Sequence, residues 1–428
     1  MKIADEQIIT GKGATLHLIP TKKYKTISIA VKLQAPLERK TITARALLPY
    51  VLQQGTANLP DARALRIKLD DLYGAVLSIS GTKKGEKHII TLRLDVANEN
   101  YLSDRTPLFE KAVDLLREIL FEPKVEDGAF TQSIATREMQ TLRQKMTALK
   151  DDKMSYANMR LIDEMCKGES YSLHVHGYEE DLEAMDGQKL FDYYKQLLKQ
   201  DKMDIYILGD VEKELAEKAV RPFLERDVTP LEEKAAAVHP LAEDVKEVVE
   251  TQDVQQAKLH LGYRTNIRYD DSDYAALQVF NGLFGGFPSS KLFRNVREKH
   301  SLAYYAASRF ESHKGLLFVF SGIDPKDYHK AKEIIDAQLA AMQAGEFVGN
   351  EVEEVKDLIV SQILETIDNP AGHIETLYQQ VVGHKNIPIE KMLEAIKQVT
   401  KEDVLQVAEK VQLDTVYLLT NKEAEKDA

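Results

Sequence analysis

The 428-residue sequence predicts an α+β protein built from two similar domains. Three observations predict it. The chain is too long for one core, and two domains of about 200 residues are expected. A stretch of charges, alanines and prolines, Glu225 to Lys246, divides it into near-equal halves and has the composition of a linker. The halves then repeat the same order of strand and helix signals. The expected division is a domain over 1–225, a linker over 226–246 and a domain over 247–428.

The elements follow in order. HIITLRLDVANE (His88 to Glu99) alternates as a half-buried strand does, with Ile90, Leu92, Leu94 and Val96 on one face. Thr106-Pro107 then opens a helix, Thr106 as cap and proline at the first position. Leu108, Ala112, Leu115 and Ile119 form its apolar stripe. In the second half GLLFVFSGI (Gly315 to Ile323) is the matching strand, and Asp324-Pro325 the matching opening. Tyr328, Ala331, Ile335, Leu339 and Met342 make that stripe, which ends at Gly345. Each half closes with a helix leading into a strand: Phe191 to Asp210, and Val404 to Asn421. NGLFGGFPSSKLFRNVREKHSLAYYAASRF (Asn281 to Phe310) reads as a Gly-rich turn, a helix over Ser289 to Glu298, and a strand.

Composition excludes several functions. A net charge of −12 argues against a nucleic-acid partner and against an anionic membrane surface. It suggests a mild preference for basic peptides. The single cysteine, Cys166, has no disulfide partner and reads as a buried thiol. MKIADEQIITGKG lacks the apolar core of a signal peptide, and no apolar run reaches the ~18 residues of a membrane helix. A soluble cytoplasmic protein without membrane insertion is expected.

Candidate chemistry is sparse. Gly285-Gly286 can bring backbone close to a ligand or a neighbouring element, but the phosphate-loop spacing is absent. Gly285, Gly286 and Phe287 are the candidate substrate contacts. Arg297 and Tyr304 are donors suited to a developing oxyanion. His174 and His176, near Glu179, Glu180 and Asp181, would share a face if they lay on a strand, which makes a metal site there geometrically possible.

GGFPSSKLFRNVREKHSLAYYAASRF resembles the second-domain signature of the pitrilysin/insulinase family of zinc peptidases, which includes the mitochondrial processing peptidases. The resemblance runs through Ser290, Leu292, Phe293, Arg297, Glu298, Lys299, Leu302, Ala303 and Tyr304. It implies two homologous domains of the metallohydrolase-like peptidase fold, each a mixed, mostly antiparallel sheet packed with long helices around a peptide chamber.

Active members carry His-x-x-Glu-His on a helix of the first domain, followed by Gly-Thr. Gly55-Thr56 sets that register here. Ala46 then stands for the first histidine, Pro49 for the glutamate and Tyr50 for the second histidine. The third ligand maps near Thr136, with Glu138 the alternative. No metal is expected on this chain, because one carboxylate cannot hold Zn²⁺. Proline inside ALLPYVLQQGT also predicts a helix that starts late or bends at Pro49.

ALKDDKMSYANMRLIDEMC (Ala148 to Cys166), with Gly177 to Asp181, is similar to silent members of the family in Gram-positive bacteria. The resemblance implies a non-catalytic subunit without a cofactor of its own. It would pair with a homologous active zinc-peptidase subunit in a heterodimer, form half of a peptide-binding chamber, and supply Arg297 and Tyr304 in trans. Two alternatives stand beside it: a self-sufficient metallopeptidase using His174 and His176, and a homodimer that binds peptides without hydrolysis.

Overall fold

Alternating apolar residues become two sheets. The computed structural model describes residues 5–104, 106–231 and 244–422. Residues 232–243 of the expected linker therefore lie outside the described residues. The strands are β1 (Gln7–Thr10), β2 (Thr15–Pro20), β3 (Thr26–Pro36), β4 (Val76–Lys84), β5 (Lys87–Ala97), the short pair β6 (Val125–Glu126) and β7 (Ala129–Phe130), β8 (Lys202–Gly209), β9 (Lys246–Thr251), β10 (Ala257–Arg264), β11 (Ala303–Glu311), β12 (Leu316–Ile323) and β13 (Gln412–Thr420). The α-helices are α1 (Ile42–Leu52), α2 (Ala62–Asp71), α3 (Leu108–Phe121), α4 (Gln132–Asp151), α5 (Lys153–Met165), α6 (Glu179–Glu183), α7 (Gly187–Gln200), α8 (Lys213–Leu224), α9 (Tyr274–Asn281), α10 (Tyr328–Gln343), α11 (Gly349–Asp368), α12 (Pro370–Val382), α13 (Ile389–Gln398) and α14 (Lys401–Lys410). Among the described residues no helix is long and apolar enough to cross a membrane.

The strand orders are β1-β2-β8-β3-β5-β4 and β11-β12-β10-β13-β9. Read in the same sense, β2-β8-β3-β5-β4 repeats as β9-β13-β10-β12-β11. In each sheet one pair is parallel, β2 with β8 and β9 with β13, and the others are antiparallel. The duplication is thus present in topology as well as in sequence, and each sheet is mixed and mostly antiparallel.

Burial explains why the matching strands look different in sequence. On β5, Ile90, Leu92, Leu94 and Val96 join α3's Leu108, Ala112, Leu115 and Ile119 in the first core. Its other face carries Arg93 and Asp95, paired at 2.5 Å. On β12, Leu317 and Val319 enter the core of the α10 stripe, while Leu316 and Phe318 are buried on the opposite face. A strand buried on both faces reads as a continuous apolar run. Helix entry differs slightly from expectation. Pro107 stands at the cap of α3, and the Thr106 hydroxyl donates to Asp104 at 2.9 Å. Asp324 caps a 3₁₀ turn, Pro325–Asp327, that precedes α10.

The chain forms two compact units, Met1–Ala148 with Leu173–Ala235, and Leu149–Ser172 with Ala236–Ala428. Composition alone leaves 149–172 in the first domain; the fold places it in the second unit. The reason is α5, which buries Ala157, Leu161 and Met165 in one cluster with Phe318, Tyr417 and Leu419. Polar ties hold it there. Arg160 pairs with Glu250 at 3.2 Å, and Glu169 pairs with Arg264 at 2.7 Å and Lys314 at 2.8 Å. Cys166 is fully buried in the same cluster.

Candidate functional site

Helix α1 carries Ala46, Pro49 and Tyr50, the positions that the resemblance sets against the zinc motif. It is a single helix from Ile42 to Leu52, with Pro49 inside and ten of its eleven residues buried. The expected late start at Pro49 is therefore corrected. Proline in a helix interior costs about 3 kcal/mol. Burying Leu47, Leu48, Val51 and Leu52 returns about 1.5–3 kcal/mol each, so packing wins.

Arg45 anchors this helix. Its guanidinium is fully buried and pairs with Asp201 at 2.7 Å. It also donates to His88 Nδ1 at 3.0 Å, to the Tyr193 hydroxyl at 3.1 Å, and to the carbonyls of Leu33 and His88. Burial and the Arg45 charge lower the His88 pKa to about 3, so its imidazole stays neutral. The Gly-Thr pair that follows is a structural turn. Gly55 sits at φ +140°, and any Cβ there would lie 2.6 Å from the Leu59 carbonyl. Thr56 is buried, accepts from the Leu59 amide at 3.0 Å and donates to Glu118 on α3.

At the three motif positions a buried methyl (Ala46), a buried pyrrolidine (Pro49) and a half-buried phenol (Tyr50) replace imidazole, carboxylate and imidazole. Burial, and then the charge of Glu138, raise the Tyr50 pKa. Glu138 is thus the acid beside the degenerate helix. Thr136 is exposed and takes a hydrogen bond from Gln132 at 3.2 Å. Helical periodicity carries the signal for this choice. Ala135, Met139, Leu142 and Met146 make the inner stripe of α4, and Glu138 falls on it while Thr136 does not.

Arg137 Nε donates to Glu138 at 2.7 Å, and its Nη2 donates to Gln54 at 2.6 Å. Arg137 thus pairs with the acid that the resemblance offers as the alternative third ligand. One paired carboxylate and one phenol do not supply the three or four ligands zinc takes, so these residues do not fit the ion.

His174 and His176 lie in a turn rather than on a strand, which removes the shared face expected for them. His174 stacks on Tyr178 at 5.0 Å, and the Arg39 guanidinium covers that ring at 4.0 Å. The nearby acids are engaged elsewhere: Glu180 and Asp181 with Arg39, Glu179 with Arg143. Among the described residues no group of three or more His, Cys, Asp or Glu side chains could hold a metal ion.

In the second unit regular geometry is broken repeatedly between α9 and β11. Helix α9 continues into a π-helical stretch, Gly282–Gly286, and a second spans Phe293–Lys299 where an α-helix over Ser289 to Glu298 is expected. Ser301 then takes a left-handed φ of +51°. β11 opens with a bulge: Ala303 pairs with Ile323 and Tyr305 with Gly322, so Tyr304 has no ladder partner. It stands 74% exposed. Arg297 is exposed on the second π-stretch, its guanidinium 4.6 Å above the Phe293 ring. Single π-turns and β-bulges recur at functional sites because they re-aim side chains.

The three candidate substrate contacts divide. Gly285 is buried, and a Cβ there would meet the Ser308 amide at 2.7 Å, so it serves the close approach of β11. Asn281 accepts the Ser308 hydroxyl at 2.8 Å and fixes the same approach, a role sequence reasoning missed. Phe287 packs half-buried on the core. Gly286 alone is exposed.

A duplicated mixed-sheet fold of this kind, with no metal-holding cluster among the described residues, defines a metallopeptidase-like protein. The chain belongs to the M16 metallopeptidase family, the pitrilysin/insulinase group, as an inactive-type member. Residues 184–359 match the family description "Peptidase M16 inactive domain". The chain is 48% identical over 416 residues, 96% of each partner, to the probable inactive metalloprotease YmfF of Bacillus subtilis strain 168. It is 25% identical to the antilisterial bacteriocin subtilosin biosynthesis protein AlbE of the same strain, over 91% of this chain and 96% of AlbE. A crystal structure of a conserved protein from Enterococcus faecalis V583 superposes with a TM-score of 0.89 at 34% identity, covering 97% of this chain and 99% of that one.

Proposed function

We propose that this chain is a cytoplasmic, non-catalytic subunit of a zinc-dependent peptidase. It would form half of a peptide-binding chamber and lend Arg297 and Tyr304 to the site of a homologous active partner, which holds the zinc. One observation carries the reading. Arg297 and Tyr304 are exposed polar side chains, one on a π-helical stretch and one at a β-bulge outside the strand ladder. A guanidinium and a phenol donate to a peptide carbonyl and stabilise the oxyanion that develops on it. The first unit supports the same reading, since Ala46, Pro49 and Tyr50 leave it no ligand set of its own.

Native mass spectrometry of this chain mixed with an intact M16 relative from the same genome tests the assembly. A one-to-one mixed species is expected. A homodimer that persists beside the intact relative would overturn the proposal and favour a peptide binder.

A further inference from the structure

Helix α4 borders a groove of about 550 Å³ within the first unit. Met139 and Leu182 give it an apolar floor, and both are buried. Around them stand Arg137, Arg143, Gln140 and Gln144. No carboxylate lines the groove, although the whole chain carries −12. The charged groups on its lining are guanidiniums, each oriented by a carboxylate from outside the lining, Glu138 and Glu179.

The two guanidiniums are held in place and keep donors to spare. Arg137 uses Nε on Glu138 and Nη2 on Gln54. Arg143 uses Nε on Glu179 at 3.3 Å and Nη1 on Gln140 at 2.9 Å. Each retains N–H groups beyond those two. Their side chains remain accessible, 60% and 34% exposed. Gln140 accepts from Arg143, which leaves its amide nitrogen to donate outward. Fixed guanidiniums with amides beside them suit carboxylates, which take paired, charge-assisted hydrogen bonds. An apolar floor adds room for the methylenes of a glutamate stem.

We propose that the groove along α4 binds acidic peptide segments, with Arg137 and Arg143 taking the side-chain carboxylates. The inference goes beyond the donor role of Arg297 and Tyr304 and involves neither residue.

Fluorescence anisotropy with the full chain tests it, using a short glutamate-rich peptide and lysine-rich and glutamine-rich peptides of equal length. The glutamate-rich peptide is expected to bind best, and more weakly as salt screens the pairs. Arg137→Gln/Arg143→Gln should raise Kd about ten- to a hundred-fold, the range for losing hydrogen bonds to a charged group. Arg143→Gln alone leaves the Arg137–Glu138 pair intact, so it serves if the double variant fails to fold, and about tenfold is expected. Arg63→Gln, exposed on α2, should change nothing. Equal binding of the three peptides, no binding of any, or an unchanged Kd in Arg143→Gln would overturn the inference. Because the readout is binding by this chain alone, such a failure leaves the trans-donor proposal standing.

Discussion

Replacing the three lost groups, Ala46→His, Pro49→Glu and Tyr50→His, should make the first unit bind zinc. Positions 46 and 50 lie one turn apart on a continuous helix and so share a face. Pro49→Glu also returns a backbone N–H and removes a helix penalty of about 3 kcal/mol. Glu138 lies close enough for its charge to act on Tyr50. Two effects oppose binding. A histidine at buried Ala46 overpacks the site by about 1–3 kcal/mol. The Arg137–Glu138 pair must also open, but with Arg137 60% exposed it is worth no more than about 1 kcal/mol. Well-formed zinc sites gain about 10–16 kcal/mol, so the ion wins even with one ligand fewer. Elemental analysis gives the stoichiometry, and competition with a chromophoric chelator at neutral pH gives Kd. Adding Arg137→Ala should tighten Kd about fivefold, the equivalent of the pair. A folded triple variant without stoichiometric zinc would refute the claim that only side chains separate this frame from a working site.

Arg45→Met strands Asp201, 2% exposed, without its counter-ion; about 3–5 kcal/mol should be lost from the urea unfolding free energy. Arg45→Met/Asp201→Leu should recover much of it. His260, fully buried, has its pKa lowered by burial from 6.5 to about 3. The folded state keeps it neutral while the unfolded chain takes a proton. Its contribution is therefore complete above pH 6.5 and declines as pH falls toward 3, by up to about 1.4 kcal/mol per pH unit. In His260→Leu the acid slope of urea stability should flatten by about one proton. A chain cut after Glu225 exposes the apolar face of α5, Ala157, Leu161 and Met165, so size-exclusion chromatography should show association rather than a monomer.

The duplicated fold was legible because strand and helix periods are local. Ile90 to Val96 and the Tyr328 stripe show their buried faces in sequence alone. What escaped was non-local or irregular. No sequence pattern marks the crossing of α5 into the second unit, since its partners Phe318 and Tyr417 are far along the chain. The π-stretches and the Tyr304 bulge add a residue to a regular period without changing residue type. Pro49 misled because propensity was weighed without the burial around it. Arg45 passed as an ordinary charge, although an arginine inside ARALLPYVL, amid apolar residues, is the signal of a buried ion pair. Tyr304 and Arg297 were found by resemblance, and their exposure became visible only in the fold.

The most direct measurement is the turnover of a mixed assembly between this chain and an intact M16 relative. In that assembly Arg297→Ala and Tyr304→Phe should each lower kcat by about 10²–10³-fold, the usual effect of losing one oxyanion donor. Native mass spectrometry should show the complex intact and KM should change little. An assembled complex whose kcat is unaffected by both substitutions would contradict the account.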